Sequence, residues 1–499
     1  MENKIENKNI DFYIEEIRTA AEEFHINETR PLSYFIRTFG CQQNDNDSEI
    51  SAGLLEHLGL EAASQIEEAD IVIFNTCSVR ENADRRFYGH LGNLKTWRSE
   101  EKQRRIGVMG CMPGQGTHNK HLKDTFPYID FLLNAGDMGN LPRALYESRD
   151  QSGKHFIVDL TDQPKEMTYP SLPVKRESRH RALISIMSGC NNFCTYCIVP
   201  YARGRESSRD PQVIIAEAQA AVDNGAKEIM LIGQNVNSYG NDKRRKGESG
   251  FPSFAQLLKE IAQIPDLSVL RYMTSHPKDL SDELIEVIGQ YETIEPHVHL
   301  PLQSGSTRLL KKMNRRYTAE HYLGLVQKLR AARPEITIST DIIVGFPGET
   351  EEDFEATLGL MEAVKFDRAF TFIYSPRSGT PAAEWEQNAS DIEIQERFER
   401  LLDLQNTHSL ESNKTCLDKS IYVLVSGRSK TDEEVFSGRT KDDRLVNFSV
   451  PDVSQLENEY AYTARGEAVT TVISEGSEVL VKVTKSKTTS LEGVFERLL

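Results

Sequence analysis

Between Leu32 and residue 150 the chain alternates short apolar runs with polar or helix-patterned stretches. The runs are SYFIRTFGC (Ser33–Cys41), ADIVIFNTCSV (Ala69–Val79), RRIGVMGCM (Arg104–Met112) and IDFLLNAGD (Ile129–Asp137). Strand-length runs separated by helix-length segments predict a parallel α/β sheet over 32–150. Residues 1–31 read as a polar helical extension, and 151–175, polar and proline-bearing, as a linker.

Residues 176–412 repeat the alternation over a longer stretch. ALISIM, EIMLIG, SVLRYMTS, HVHLPL, TISTDIIVGF and RAFTFIYSP are strand candidates. Helical segments lie between them, such as PQVIIAEAQAAVDNG, with Pro211 at its start and Gly225 at its end. Six strand–helix units with neither a GxGxxG nor a Walker loop predict a partial barrel with its functional loops at the strand C-termini. From 413 to 497, KSIYVLVSGRS, VFSGRT, RLVNFSV, GSEVLVKVTKSK and LEGVFERL predict a small antiparallel β-barrel. Such barrels commonly bind oligonucleotides. Arg428, Lys430, Arg439, Lys441 and Arg444, interleaved with Phe436 and Phe448, suit either a phosphate-binding and stacking surface or a plain structural barrel.

Composition narrows the class. The 499 residues are 38% hydrophobic and 27% charged, with a net charge of −17. That balance argues against coating nucleic acid by bulk electrostatics, but leaves room for a local basic groove such as DKRRKG (Asp242–Gly247) or RLLKKMNRRY (Arg308–Tyr317). The charged N-terminus lacks the apolar region of a secretory signal, and no run approaches the length of a membrane span. A cytoplasmic protein without membrane association is therefore expected. Its thiols stay reduced, so grouped cysteines read as metal ligands or catalysts.

The chain has seven cysteines. Cys190, Cys194 and Cys197 lie in SGCNNFCTYCIVPYARGR, spaced C-x3-C-x2-C after the first barrel strand. Cys41, Cys77 and Cys111 each follow a predicted strand of the first sheet, where open parallel sheets place their ligand sites. They read as converging on one rim; the alternative is three separate small core residues. Three thiolates on a cubane iron–sulfur cluster leave one iron open for chemistry. Zinc is the rival for the C-x3-C-x2-C loop, although no fourth ligand stands at a zinc-finger offset and the nearest downstream histidines are His276, His297 and His299. Cys416 reads as a small packed residue.

C-x3-C-x2-C with Tyr196 before the last cysteine resembles the radical S-adenosylmethionine enzymes. NTCSVRENAD, GCNNFCTYCIVPYARGRE, LIGQNVNSYG, HLPLQSGS and TDIIVGFPGETEEDF, in this order, extend the resemblance to the methylthiotransferases, and within them to the branch acting on N6-(dimethylallyl)adenosine of tRNA. The likeness runs from Leu32 nearly to the C-terminus. It implies a flavodoxin-like N-terminal domain, a central partial (β/α)6 radical-SAM barrel and a terminal TRAM barrel that binds RNA. It further implies two 4Fe–4S clusters, one on Cys41, Cys77 and Cys111 and the other on Cys190, Cys194 and Cys197. Two molecules of S-adenosylmethionine would be used per turnover, one to methylate a sulfur atom attached to the auxiliary cluster and one to yield a 5′-deoxyadenosyl radical. The product would be methylthiolated at C2 of the adenosine at tRNA position 37. The alternative targets are threonylcarbamoyl-adenosine tRNA and an aspartate of a ribosomal protein.

Beyond the cysteines, Gly233, Gln234 and Asn235 stand where such enzymes contact the methionine amino group, with a simple turn as the alternative. Gln303, Ser304 and Arg315 read as cofactor or substrate contacts, or, for Ser304–Ser306, as a helix cap. Asp341 reads as a substrate or cofactor contact, or as a paired buried carboxylate. Arg203 and Arg205 are expected to bind a tRNA phosphate or the cofactor carboxylate, since the guanidinium fork matches both. No catalytic side chain is assigned. GFPGETEEDF reads as a turn with a Thr350–Asp353 capping box rather than a phosphate cradle. After Cys111 the family's usual helix start is replaced by MPGQGTHNK, so the surroundings of that cysteine are expected to differ. The expected partners are a prenylated tRNA anticodon stem-loop, an electron donor such as flavodoxin or ferredoxin, and a sulfur source, with the protein a monomer.

Overall fold

The computed structural model describes residues 9–78, 81–101, 103–149, 157–161, 173–451 and 473–499. Its first sheet has six parallel strands: β1 (Ser33–Phe39), β2 (Glu61–Ala62), β3 (Ile71–Thr76), β4 (Arg105–Gly110), β5 (Phe131–Asn134) and β6 (Val158–Asp159). Their order is β2-β1-β3-β4-β5-β6, the flavodoxin-like arrangement with one strand added. Every residue of β3 is buried, as a central parallel strand with both faces covered requires. Leu54 and Leu55 of helix Gln42–His57 cover one face, and Phe87, Leu91 and Leu94 of helix Glu81–Glu100 the other.

Two expectations change here. Val158–Asp159, within the segment read as a linker, pairs with β5, and Val158 and Leu160 join the apolar core on that side of the sheet. The rest of that segment from 162 to 172 lies outside the described residues. The N-terminal extension is not merely polar: helix Ile10–Glu28 buries Tyr13, Ile17 and Ala21, with Tyr13 edge-on to Tyr146 at 5.5 Å.

The middle of the chain supplies β7 (Arg181–Ser185), a short antiparallel pair β8 (Met187–Ser188) and β9 (Ser207–Ser208), then β10 (Glu228–Ile232), β11 (Val269–Tyr272), β12 (His297–His299), β13 (Thr337–Val344) and β14 (Arg368–Ile373). The parallel sheets β11-β10-β7 and β12-β13-β14 are joined by the Leu270–Ile294 bridge. All six predicted strands are present, and together they form an open partial barrel. Helix Pro211–Asp223 starts with proline in its first turn and is capped by Asp210, whose carboxylate accepts from the backbone of Gln212 and Val213. The Thr350–Asp353 capping box also forms.

Five strands close the C-terminal barrel: β15 (Ser420–Arg428), β16 (Phe436–Arg439), β17 (Leu445–Ser449), β18 (Glu478–Ser486) and β19 (Leu491–Leu498), ordered β15-β16-β17-β19-β18. It is not wholly antiparallel, because β17 and β19 run parallel. An odd number of strands cannot close with every neighbour antiparallel. The stacking expectation fails as well. Phe436 and Phe448 are core residues, ring on ring at 5.7 Å, because they occupy inward positions of β16 and β17. Arg439 pairs with Asp443, and Arg444 with Asp442 and Asp367, so neither is spare for phosphate. Cys416 packs partly buried against this barrel core.

The β16–β17 turn docks on the central barrel at the rim where its strands begin. Arg271, fully buried, binds Glu228 at 2.7 Å and Glu295 at 3.0 Å, and donates to the carbonyls of Thr440 (2.8 Å) and Lys441 (2.9 Å). Arg368 pairs with Asp443 at 2.9 Å. Among the described residues no helix is long and apolar enough to cross a membrane.

Candidate functional site

The opposite rim gathers the cysteines. Phe39 pairs with Thr76, and Thr76 with Gly110, so β1, β3 and β4 end level and deliver Cys41, Cys77 and Cys111 to one edge. That edge includes the β1/β3 switch point, where doubly wound sheets bind their ligands. Asn44 and Asn75 tie the three strand ends together. Asn44 Nδ2 donates to Asn75 Oδ1 (2.9 Å) and to the Thr76 carbonyl (3.1 Å); Asn75 Nδ2 returns a bond to the Asn44 carbonyl (2.8 Å). The Cys111 amide donates to the Thr76 carbonyl at 2.8 Å. Gly110 has φ 103°, and a Cβ there would collide with the Thr76 backbone, so glycine is required before Cys111.

The second triad sits in the loop between β8 and β9. Gly189, at φ 76°, donates its amide to Gln234 Oε1 at 2.6 Å, and a Cβ there would strike the Arg205 carbonyl. Asn314 Nδ2 donates to the carbonyls of Asn192 (3.1 Å) and Phe193 (2.9 Å). Phe193 and Asn314 both hold positive φ, as do Thr274 and Gln303 near neighbouring strand ends. Backbone of this kind persists only where its surroundings enforce it, and it concentrates at functional sites.

The sulfurs are supplied with donors. Asn192 Nδ2 lies 3.5 Å from Cys190 Sγ, Arg315 Nη1 3.5 Å from Cys194 Sγ, and Arg203 Nε 3.3 Å from Cys111 Sγ. Burial pushes the Cys190 thiol up to about 11 and the Cys197 thiol up to about 12, with Cys194 adding to both. Burial likewise raises Cys111, against the pull of Arg203. Thiolates persist there only against added positive charge, which a bound metal group supplies. Three sulfurs on one zinc would lie roughly 4 Å apart. Among the described residues no three Cys, His, Asp or Glu side chains gather tightly enough to hold a single metal ion.

The other expected residues divide. Gln234 braces the Cys190 loop through Gly189, while Gly233 packs close to Met187. Asn235 donates to Asp279 at 2.8 Å and leaves its Oδ1 buried without a partner. Asp341 lies on the inner face of β13, 3.5 Å from His299 Nε2, and its side chain is partly exposed. Gln303 bridges to β13 through its backbone. Ser304 takes the capping alternative, hydrogen-bonding Thr357 and the Ser306 amide, and Ser306 caps helix Thr307–Lys312. Arg315 is buried, donating to Tyr317 and to the Pro301 carbonyl as well as to Cys194. Arg205 lies over the Phe193 ring at 5.1 Å.

Of the two partners expected for Arg203, its burial excludes the tRNA phosphate. Arg203 is 5% exposed and reaches across to the first sheet, binding Asp47 at 3.0 Å as well as Cys111. A guanidinium so buried cannot meet a tRNA phosphate. A signal for this existed in sequence only as an arginine close behind a cysteine loop.

A cavity of about 330 Å³ lies beside the triads, lined by chain neighbours of some of their cysteines. Its walls are Ser78 beside Cys77, Gln115 and His118 from the segment after Cys111, Ile198 beside Cys197, and Ser375–Ser378 following β14. The 375–378 segment and His118 were not singled out by sequence; only their place after strand ends marked them. Met112–Gln115 of MPGQGTHNK form a turn and Gly116–Lys120 open helix Gly116–Thr125, which together bring Gln115 and His118 to the cavity.

The Radical SAM superfamily matches residues 184–361, and Uncharacterized protein family UPF0004 matches residues 33–134. Proteins named tRNA-2-methylthio-N(6)-dimethylallyladenosine synthase align along nearly the whole chain. The one from Acetivibrio thermocellus is 43% identical over 97% of this chain and 95% of its own. The one from Carboxydothermus hydrogenoformans is 45% identical over 93% and 99%, and that of Clostridium novyi 47% over 83% and 90%. Among solved structures, the radical S-adenosylmethionine methyltransferase TsrM of Kitasatospora setae matches with a TM-score of 0.51 at 16% identity, over 70% of this chain and 77% of that one, a likeness of fold.

Proposed function

The chain belongs to the family of tRNA-2-methylthio-N(6)-dimethylallyladenosine synthases, radical-SAM enzymes, and from that premise we propose that it adds a methylthio group to C2 of a prenylated adenosine in a tRNA anticodon loop. The cofactors are S-adenosylmethionine and two 4Fe–4S clusters. The observation that carries this reading is a cavity lined by the chain neighbours of Cys77, Cys111 and Cys197 together. Cys41, Cys77 and Cys111 would hold one cluster and Cys190, Cys194 and Cys197 the other; the donors aimed at Cys111, Cys190 and Cys194 and the burial of four of the six thiols fit both. Bound there, S-adenosylmethionine and its cluster would supply radical chemistry, and the auxiliary cluster would supply sulfur.

The protein's own residues orient and enclose. Gln234 and Asn314 fix the cluster loop. Asp341 and His299 offer polar groups on the inner barrel face. Phe370 and Phe372, paired in register with Asp341 and Ile343, share that face and are 43% and 52% exposed. An apolar face of this kind suits the prenyl chain of a base swung out of its stack. Arg428 and Lys430 are exposed at the end of the β15–β16 hairpin away from the docked turn, a surface for the RNA backbone. The setting is cytoplasmic, with a reductant and a sulfur donor as partners and one chain acting on one tRNA.

The test is anaerobic. Reconstituted protein, S-adenosylmethionine and dithionite are mixed with anticodon stem-loops carrying prenyl-adenosine, and products are read by mass spectrometry. The reading expects 2-methylthio product and 5′-deoxyadenosine together, with Cys77→Ala losing the first and keeping the second. Methylthiolation of a threonylcarbamoyl stem-loop or a ribosomal protein in its place would overturn the substrate.

A further inference from the structure

Arg203 is carried on the barrel side, just beyond the C-x3-C-x2-C loop, yet its side chain ends in the first domain. Nε–H points at Cys111 Sγ (3.3 Å) and Nη2–H at Asp47 Oδ2 (3.0 Å). Asp47 itself is buried, and its other oxygen accepts from Gln43 Nε2 at 3.3 Å. Gln43 in turn donates to Ser185 Oγ, at the end of β7, at 3.1 Å. A buried chain thus runs from the first barrel strand, through the helix behind Cys41, to Arg203 and Cys111. Asp47 fixes the fork, so the hydrogen bond to sulfur is not an accident of a mobile side chain. Arg203 Nη1 remains buried with no protein partner. A guanidinium cannot lose its charge, and a buried donor left unpaired is costly. This atom therefore has a partner that the polypeptide does not provide.

We propose that Arg203 is the positioning residue of the auxiliary cluster: its Nε–H bonds the Cys111 ligand, and its Nη1–H meets a sulfur carried on the cluster. The proposal rests on Cys41, Cys77 and Cys111 being ligands. Hydrogen bonds and positive charge at ligand sulfur stabilise the more negative, reduced state and raise the reduction potential. Because Arg203 lies six residues past Cys197, it also ties the position of one cluster loop to the other cluster.

The experiment uses full-length chain with Cys190, Cys194 and Cys197 all changed to alanine, reconstituted with iron and sulfide and titrated by EPR. Arg203→Gln should lower the midpoint so that the reduced-to-oxidised ratio at fixed poise falls at least tenfold, about 59 mV for one electron. Arg205→Gln, two residues on and stacked over Phe193, should leave it unchanged. A fully iron-loaded Arg203→Gln with an unmoved potential overturns the proposal. Should Arg203→Gln fail to load, Arg203→Lys decides. It keeps the charge and loses the fork, and its resonance Raman iron–thiolate bands must shift; unmoved bands overturn the proposal equally. Absence of any cluster in the triple-alanine parent with Arg203 intact instead condemns the ligand assignment.

Discussion

Gly189 and Gly110 do the same work on two different frames. Each precedes a cysteine, holds a positive φ and lies against a carbonyl that a methyl group would strike. Gly189→Ala therefore strains the backbone by about 1–3 kcal/mol and displaces the Gln234 contact. Iron per reconstituted chain should fall to about half, with the loss confined to the C-x3-C-x2-C site; unchanged iron content would refute this. Glu349 makes a pH prediction at the same scale. Burial raises its pKa from the ordinary 4.5 to about 7, outweighing the Gly345 amide and Arg397 that favour the anion. Between these two values the unfolded state has lost a proton that the native state keeps. Stability contributed by this group is thus complete below about 4.5 and is lost as pH rises to about 7, on the order of 3 kcal/mol in all. Glu349→Gln should shrink the difference in urea midpoint between pH 5 and pH 8. A difference equal to that of the parent protein would show that Glu349 ionises freely.

At the scale of elements, the strands and the cysteines behind them were legible because period and position carry that information locally. A β-rich run followed by Gly–Cys says where a parallel strand stops and what stands on its rim. Partner choice was not legible. Phe436 and Phe448 interleave with basic residues in sequence, but both rings point into the barrel core, Arg439 alternates to the other face, and Arg428 packs its guanidinium onto the Phe436 ring at 3.7 Å. Arg203, Arg439 and Arg444 look alike in one dimension and end on a cysteine, an aspartate and a helix end respectively. Long-range pairing decides which, and no local pattern encodes it. The cluster loop shows what an element owes to such pairing. Besides the two-residue β8–β9 ladder and the short helix Val199–Ala202 within it, it is held from outside by Gln234 and Asn314. Asn314→Ala removes two hydrogen bonds and places alanine at φ 58°, costing about 2–3 kcal/mol locally. Iron at this site should be stripped by a chelator several-fold faster, while iron on the Cys41/Cys77/Cys111 site leaves at the parent rate. Equal acceleration at both sites would point to global loosening instead.

For the whole molecule, the two rims of the central barrel have opposite duties. Chemistry collects where strands end, and the C-terminal barrel is fastened where they begin. The fastening is electrostatic, buried at Arg271 and partly exposed at Asp443. Arg271 balances Glu228 and Glu295 while capping two carbonyls of the docked turn, and Asp443 meets Arg368 and Arg439. Burial alone would raise the Asp443 carboxyl, yet Arg439, Arg271 and Arg368 together hold it well below the usual carboxylate range. Arg271 alone of these cations is fully buried, whereas Arg368 and Arg439 reach solvent, so removing the Asp443 charge weakens the docking without stranding a buried pair. Asp443→Asn isolates that effect, since asparagine tolerates the φ of 63° that the turn requires and only the charge is lost. The variant should keep full iron loading and cofactor cleavage, as the docked turn is far from both cysteine triads. Its C-terminal barrel should loosen, with amide exchange in β16 and β17 at least tenfold faster, which corresponds to about 1.4 kcal/mol of docking. Methylthiolation of a stem-loop should then fall through KM rather than kcat, because a wandering barrel no longer presents Arg428 and Lys430 in a fixed relation to the cavity. If exchange rises and KM does not, the barrel contributes nothing to holding the RNA and its tie to the central barrel serves stability alone.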